Sequence, residues 1–111
     1  MTARYATPLR VMACRHMLAA ATMLGRHQSA PLSLIGRLVL GDANFLRDVE
    51  VGAARGRCPN FGIERYDRLM GGLSWVWPDD LPWPSSVPRP APFLIPPERA
   101  ATARERLGRP R

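Results

Sequence analysis

The sequence contains no lysine, only two cysteines and two histidines, and no long apolar run. Cys14 and Cys58 are far apart and do not show the spacing of metal-ligand pairs, so we expect two reduced thiols in a reducing compartment. A membrane-spanning helix needs about 20 consecutive apolar residues, and no segment supplies them. These absences predict a cytoplasmic protein with no metal, no cofactor and no membrane partner.

The polar residues form no catalytic pattern. His16 and His27 are too few and too differently placed for a metal site, and no acidic pair has a companion nucleophile. Gly71 and Gly72 lie at the end of a predicted helix instead of joining a strand to a helix, which excludes a nucleotide-binding fingerprint. We therefore expect that the protein is not an enzyme.

All sixteen basic residues are arginine, and the net charge is +7 with a sequence pI near 11.2. A basic excess indicates a polyanionic partner, with nucleic acid considered before an acidic membrane. The use of arginine alone could instead reflect the base composition of the genome. That alternative does not account for the positive net charge.

The N-terminal region is interpreted as an arm, residues 1–8, followed by an amphipathic helix from Leu9 to about Arg26. Apolar residues recur there at helical spacing, and Pro8 suits a helix start. The same segment superficially resembles a targeting peptide, although Arg15 and His16 interrupt its apolar stretch. A further helix is predicted over residues 63–73, after a loop over residues 52–62.

The C-terminal third is rich in proline and contains all three tryptophans. Residues 75–97 form an extension that either wraps the helical core or binds a protein partner. Residues 98–111 form a short basic helix and tail, with the helix spanning the sequence PERAATARERL. The remaining unit, residues 9–74, is predicted to be an all-α domain, with four or five helices in the whole chain.

The segment 32–51, LSLIGRLVLGDANFLRDVEV, is the best organised part of the sequence. Gly41 and Asp42 interrupt it, because glycine is unfavourable inside a helix and aspartate is a common helix N-cap. We predict one helix over residues 32–40 and a second from Asp42 to about residue 51. Gly36 would let two steeply crossing helices approach closely.

Apolar and small residues in this segment occupy defined places of a unit about twenty residues long: Ile35, Gly36, Val39, Leu46 and Val49. This pattern resembles the lambda-repressor-like (Xre/Cro) helix-turn-helix family, whose second helix lies in the DNA major groove. The resemblance covers roughly residues 10–75, and the Trp-Pro-containing tail is similar to that of small bacterial and phage members. The turn glycine, Gly41, is one place late, and the loop over residues 53–60 is slightly long.

The resemblance implies site residues near the start of the second helix. Those expected to read base edges are Ala43, Asn44, Arg47 and Asp48. Asparagine can pair with adenine and arginine with guanine, whereas alanine is small enough to let the helix enter the groove. Those expected to contact phosphates are Ser33, Arg37, Arg55 and Arg57.

The implied function is sequence-specific binding of double-stranded DNA by a bacterial or phage transcriptional regulator. A homodimer on a two-fold-related site is expected, since one such module makes few base contacts. The alternative is a protein-interaction module that keeps the fold without binding DNA. Acidic residues in the second helix, Asp48 and Glu50, and the aromatic tail favour that alternative. A basic membrane-active protein would be supported only by the N-terminal helix.

Overall fold

The computed structural model describes residues 8–110 and contains five α-helices. They are α1 (Leu9–Gln28), α2 (Leu32–Leu40), α3 (Phe45–Ala54), α4 (Ile63–Val76) and α5 (Pro97–Leu107). No β-strand occurs in residues 8–110, which confirms the all-α class with four or five helices. The predicted N-terminal arm lies outside the described residues, except for Pro8. No helix in the described range combines the length and the apolar character needed to cross a membrane.

The longest helix, α1, supplies one wall of the core. Its buried side chains recur every three or four residues and therefore share one face: Cys14, Met17, Ala20, Ala21 and Leu24. The sequence predicts this helix from Leu9 to about Arg26, and the helix ends slightly later, at Gln28. Ser29 then adopts a left-handed conformation with φ of 53°, and the Ala30 N–H donates to the Gly25 carbonyl oxygen at 2.9 Å.

Helices α2 and α3 lie where the sequence predicts two helices. The bounds of α2 are as predicted, but α3 begins at Phe45 instead of Asp42 and ends at Ala54 instead of residue 51. The start is later because the chain first makes a turn through residues 43 and 44. The predicted apolar positions are all at most 3 % exposed: Ile35, Val39, Leu46 and Val49.

The close approach predicted at Gly36 is present, but its partner is the turn. A Cβ atom added to Gly36 would lie 2.6 Å from the backbone carbonyl oxygen of Asp42 and 3.9 Å from Leu46 Cδ1. A carbonyl oxygen in a turn cannot move aside as a flexible side chain can. Glycine is therefore required where α2 passes the turn that leads into α3.

A disulfide joins Cys14 of α1 to Cys58 in the loop between α3 and α4, with the Cα atoms 6.7 Å apart. The prediction of two separate reduced thiols is therefore wrong. The loop returns across α1 and brings together two residues 44 positions apart in the sequence. Because disulfides persist mainly in oxidising surroundings, the cysteine content no longer supports a reducing compartment.

Helix α4 continues through the Gly71–Gly72 pair and ends at Val76, beyond the predicted end at residue 73. An added Cβ would lie 2.5 Å from Phe93 Cβ at Gly71, and 2.5 Å from Val39 Cγ1 at Gly72. Tight packing on two sides thus explains two glycines that would otherwise weaken the helix by about 1 kcal/mol each.

The Pro/Trp-containing extension packs on the helices, which is the first of its two predicted interpretations. Trp77, Val87 and Ile95 are at most 7 % exposed. The indole N–H of Trp77 donates to the Leu81 carbonyl oxygen, and that of Trp83 donates to the Val87 carbonyl oxygen. The extension therefore contains two turns that follow α4, and each is closed by a hydrogen bond from a tryptophan indole to a carbonyl oxygen four residues later.

The C-terminal helix α5 packs against α1, α2 and α4. Ala103 and Leu107 on its inner face are fully buried. The Arg99 Nε–H donates to the carbonyl oxygen of Leu38 near the end of α2, and the Arg104 guanidinium lies 4.0 Å from the Trp75 ring centroid. These contacts make α5 part of the core, although its sequence is polar.

Candidate nucleic-acid interface

The start of α3 is fixed by one carboxylate. Gly41 ends α2 with φ of 75°, and Asp42 follows. Asp42 Oδ1 accepts hydrogen bonds from the backbone N–H groups of Asn44, at 2.9 Å, and Phe45, at 3.1 Å. Asp42 therefore caps the turn and the first helical residue, although Asn44 is the residue directly before α3.

A cation from α4 holds the same carboxylate. Arg65 Nη1 lies 2.8 Å from Asp42 Oδ2, and its guanidinium carbon lies 5.0 Å from the Phe45 ring centroid. The Phe45 ring meets Phe61 edge to face, at 5.9 Å between centroids and an interplanar angle of 82°. The first turn of α3 is thus held by a hydrogen-bonded cap, an ion pair and an aromatic contact.

These contacts change the acidity of Asp42. The Asn44 N–H bond and then the Arg65 guanidinium lower the pKa of the Asp42 carboxyl below its ordinary value of 3.8, against a smaller opposing effect of burial. Hydrogen bonds and a nearby cation both favour the charged form. Asp42 therefore remains an anion bound to Arg65 over the physiological pH range.

The predicted base-reading residues occupy the turn and the outer side of α3. Asn44, Arg47 and Asp48 are exposed, and Ala43 is half-buried in the turn. At 100° per residue, Arg47 points away from the buried side defined by Leu46 and Val49. In residues 8–110, the side chains of Asn44, Arg47 and Asp48 have no hydrogen-bond or ion-pair partner, so they are free to meet a ligand.

The residues predicted to contact phosphates fall into two groups. Arg55 and Arg57 are exposed at the end of α3 and line a shallow depression with Asp48 and Val51. Ser33 and Arg37 are four residues apart on α2; Arg37 is exposed, and Ser33 is half-buried in the first turn. The structure therefore brings Arg55 and Arg57 close to one base-reading candidate, Asp48. No hydrogen bond or ion pair joins Ser33 or Arg37 to α3 side chains in the described part of the chain.

The ion pair of Asp42 changes the charge balance of this surface. The segment 32–57 contains four arginines and three acidic residues. Because Arg65 neutralises Asp42, the unpaired groups are four arginines against Asp48 and Glu50, a balance of +2. The surface around α3 is therefore more positive than its own sequence segment indicates.

Sequence reasoning misses Arg65. It lies 23 positions after Asp42, and no local pattern distinguishes it from Arg68, which pairs with Glu64 within α4. Only the packing of α4 against the turn identifies it. In residues 8–110, no group of three or more histidine, cysteine or acidic side chains could hold a metal ion.

No family model matches this chain, and neither a curated protein nor a solved structure is significantly similar to it.

Proposed function

We propose that the chain binds double-stranded DNA in a sequence-specific manner, with α2 and α3 acting as a lambda-repressor-like helix-turn-helix and α3 as the helix in the major groove. The proposal is carried by the exposed outer side of α3, which has Arg47 near its centre and side chains without hydrogen-bond or ion-pair partners among residues 8–110. In such domains the residues at the start of the second helix contact base edges. A start held in place by Asp42 and Arg65 would present those residues in one geometry.

Each exposed side chain has a role in this proposal. Arg47 would donate two hydrogen bonds to a guanine, and Asn44 would pair with an adenine. Asp48 would accept from a cytosine amino group, and the small Ala43 would allow close approach and touch a thymine methyl group. Flanking phosphates would be contacted by Ser33, Arg37, Arg55 and Arg57.

The biological setting proposed is a bacterial or phage transcriptional regulator that acts as a homodimer. One helix of this size contacts few base pairs, and a second copy on a two-fold-related site would double the contacts. The excess of positive charge would strengthen binding through the phosphates at low salt.

A protein-interaction module without DNA binding is the second candidate. Val51 is 49 % exposed on the outer side of α3, and Asp48 and Glu50 flank it without ion-pair partners in residues 8–110. An apolar residue between two carboxylates suits a protein surface better than a phosphate backbone. This candidate requires that the folded protein bind no duplex.

The decisive experiment selects bound sequences from a random duplex pool and then titrates variants against preferred and scrambled duplexes at several salt concentrations. If Arg47 reads a guanine, Arg47→Ala should cost about 1–3 kcal/mol on the preferred duplex and relax the preference at one position. Arg55→Ala should weaken all duplexes equally and reduce the slope of log affinity against log salt by about one.

Arg106→Ala provides the matched control, because Arg106 is exposed on α5 and α5 does not contact α3. It should leave the sequence preference intact. Equal, purely salt-driven losses for Arg47→Ala and Arg55→Ala would remove the base-reading role of Arg47. A folded parent protein that binds no duplex at low salt would reject DNA binding and favour the interaction module.

A further inference from the structure

An apolar face is exposed between the N-terminal halves of α1 and α4. We call it the α1–α4 face and define it by Leu9, Met12, Ala13, Phe61, Ile63 and Tyr66, which line a groove of about 310 Å³. Leu9 is 82 % exposed, Ile63 is 78 % exposed and Met12 is 37 % exposed. Three large apolar side chains grouped at one site mark an interaction surface, whereas scattered ones would not.

Two polar side chains that line the groove are bonded to each other. His16 Nδ1 lies 3.1 Å from the Tyr66 hydroxyl oxygen, and the two side chains share a hydrogen bond across the groove. A partner therefore need not supply hydrogen bonds to the floor of the groove. What it must supply is apolar surface and a matching charge at the rim.

The two helices that flank the face carry opposite charges. Arg10 lines the groove on the α1 side, and Asp67 lies one helical turn after Ile63 on the α4 side. Both are exposed, and neither has an ion-pair partner in residues 8–110. A surface with a cation on one edge and an anion on the other is complementary to a copy of itself rotated by a half-turn.

We propose that the α1–α4 face is where two copies of this chain pair about a two-fold axis, with Arg10 of each protomer against the partner's Asp67. The inference rests on the proposed function, in which a homodimer with two-fold symmetry binds a DNA site with the same symmetry. Because the apolar centre consists of a few side chains, the interface is smaller than the roughly 800 Å² per partner of a standard complex. The dimer should therefore be weak, with a dissociation constant in the micromolar range.

The first test is sedimentation velocity of the full chain without DNA, from about 1 µM to about 500 µM, which spans the affinities expected of a small interface. The parent should shift from monomer to dimer across this range. Ile63→Glu should weaken the dimer at least tenfold, since it places a carboxylate in the apolar centre. Leu94→Glu is the matched control, because Leu94 is 71 % exposed in the extension and lies outside the face.

A charge exchange tests the two-fold pairing itself. Arg10→Asp and Asp67→Arg should each weaken the dimer by about threefold to tenfold, because one substitution disrupts both symmetric ion pairs. The double variant should recover the parent affinity. An equimolar mixture of the two single variants should also recover it, as a mixed dimer, since each protomer then meets the opposite charge. If Arg10 and Asp67 interacted only within one chain, the mixture of the two single variants would not recover the parent affinity.

Salt separates self-association from DNA binding. Added salt screens the Arg10–Asp67 pairs, but it also screens the repulsion between two copies that each carry a net charge of +7. Because the apolar centre does not depend on charge, the dimer should persist at high salt, where duplex binding is lost. A dimer that forms through this face in a protein that binds no duplex would uphold the inference and reject the proposed function. Duplex binding by a protein that stays monomeric would reject the inference and uphold DNA binding.

Three results would overturn the inference. The first is a parent that remains monomeric throughout, which would leave the face to residues 1–7 of the same chain or to a different protein. The second is a dimer that Ile63→Glu and Leu94→Glu weaken equally. The third is a failure of both the double variant and the mixture to recover affinity. Circular dichroism of each variant would confirm that the helices are intact.

Discussion

At the scale of single residues, Asp42 joins three segments of the chain. One carboxylate oxygen caps the turn before α3, and the other binds Arg65 of α4. Aspartate before a helix is predictable, because its side chain can accept from free backbone N–H groups. The Arg65 contact is not predictable, because it depends on how α4 crosses the turn. The same is true of Gly72, whose small size is explained by Val39 of α2.

The pH dependence of stability should reveal the contribution of Asp42. Its folded pKa is below the unfolded value, so its contribution is present above the unfolded pKa of 3.8 and is lost as the pH falls through the folded pKa. Asp42→Asn should lower the melting temperature by a few degrees at pH 6, because the ion pair is partly exposed and such pairs contribute at most about 1 kcal/mol. The difference between parent and variant should shrink below pH 4.

Asp79→Asn is the matched control for this measurement. Asp79 is exposed and has no ion-pair partner in residues 8–110, so its replacement should change the melting temperature little at pH 6. Thermal unfolding followed by circular dichroism at several pH values measures both variants. A constant difference between parent and Asp42→Asn down to pH 2.5, about one unit below the carboxyl range, would contradict the lowered pKa.

At the scale of helices, the apolar pattern predicts which side of α3 is buried but not where α3 begins. Leu46 and Val49 are fully buried, as their spacing indicates. The helix starts late because Asp42 caps a turn through residues 43 and 44, so that Phe45 becomes the first helical residue. It ends late because Arg55 and Arg57 donate their backbone N–H groups to the Gly52 carbonyl oxygen, which closes the end of the helix beyond Gly52. Hydrogen bonds to backbone groups at the helix ends leave no periodic pattern in the sequence, so the ends of α3 could not be predicted from it.

The disulfide between α1 and the α3–α4 loop should stabilise the fold measurably. It closes a loop of 44 residues, and cross-links of this length typically add about 2–4 kcal/mol. Dithiothreitol should therefore lower the melting temperature of the parent. The Cys14→Ser, Cys58→Ser double variant should start from the lower value and show no response to the reductant. Identical melting of the oxidised parent and this variant would show that the two cysteines are not joined.

At the scale of the whole molecule, the extension and α5 complete the core of the helical unit. The Phe93 N–H donates to the Gly71 carbonyl oxygen, and the Arg89 guanidinium donates to the backbone oxygen of Ser74. Trp77 and Trp83 pack together with 4.6 Å between ring centroids. These contacts make a segment of irregular structure an integral part of the fold, because its polar groups find partners and its tryptophan rings pack against each other.

Leu107 provides a direct test of this integration. It is fully buried in α5, so Leu107→Ala should destabilise the protein by about 2–5 kcal/mol while unfolding remains a single transition. Leu94→Ala should change the free energy of unfolding by less than about 0.5 kcal/mol, because Leu94 is largely exposed. Chemical denaturation measures both values. Equal, small effects would mean that α5 is not part of the core.

The sequence by itself determined the all-α class with four or five helices, the bounds of α2 and α5 and the buried sides of α2 and α3. Helical periodicity and proline or glycine positions are local properties, so a single chain segment carries them. It also placed Arg47 on the outer side of α3, because Leu46 and Val49 fix the inner side. Only the tertiary structure decided the Cys14–Cys58 disulfide, the Asp42–Arg65 pair, the burial of α5 and the exposure of the α1–α4 face. Each of these four features depends on which segments, distant in the sequence, lie side by side in the fold. The packing of the whole core determines which segments those are.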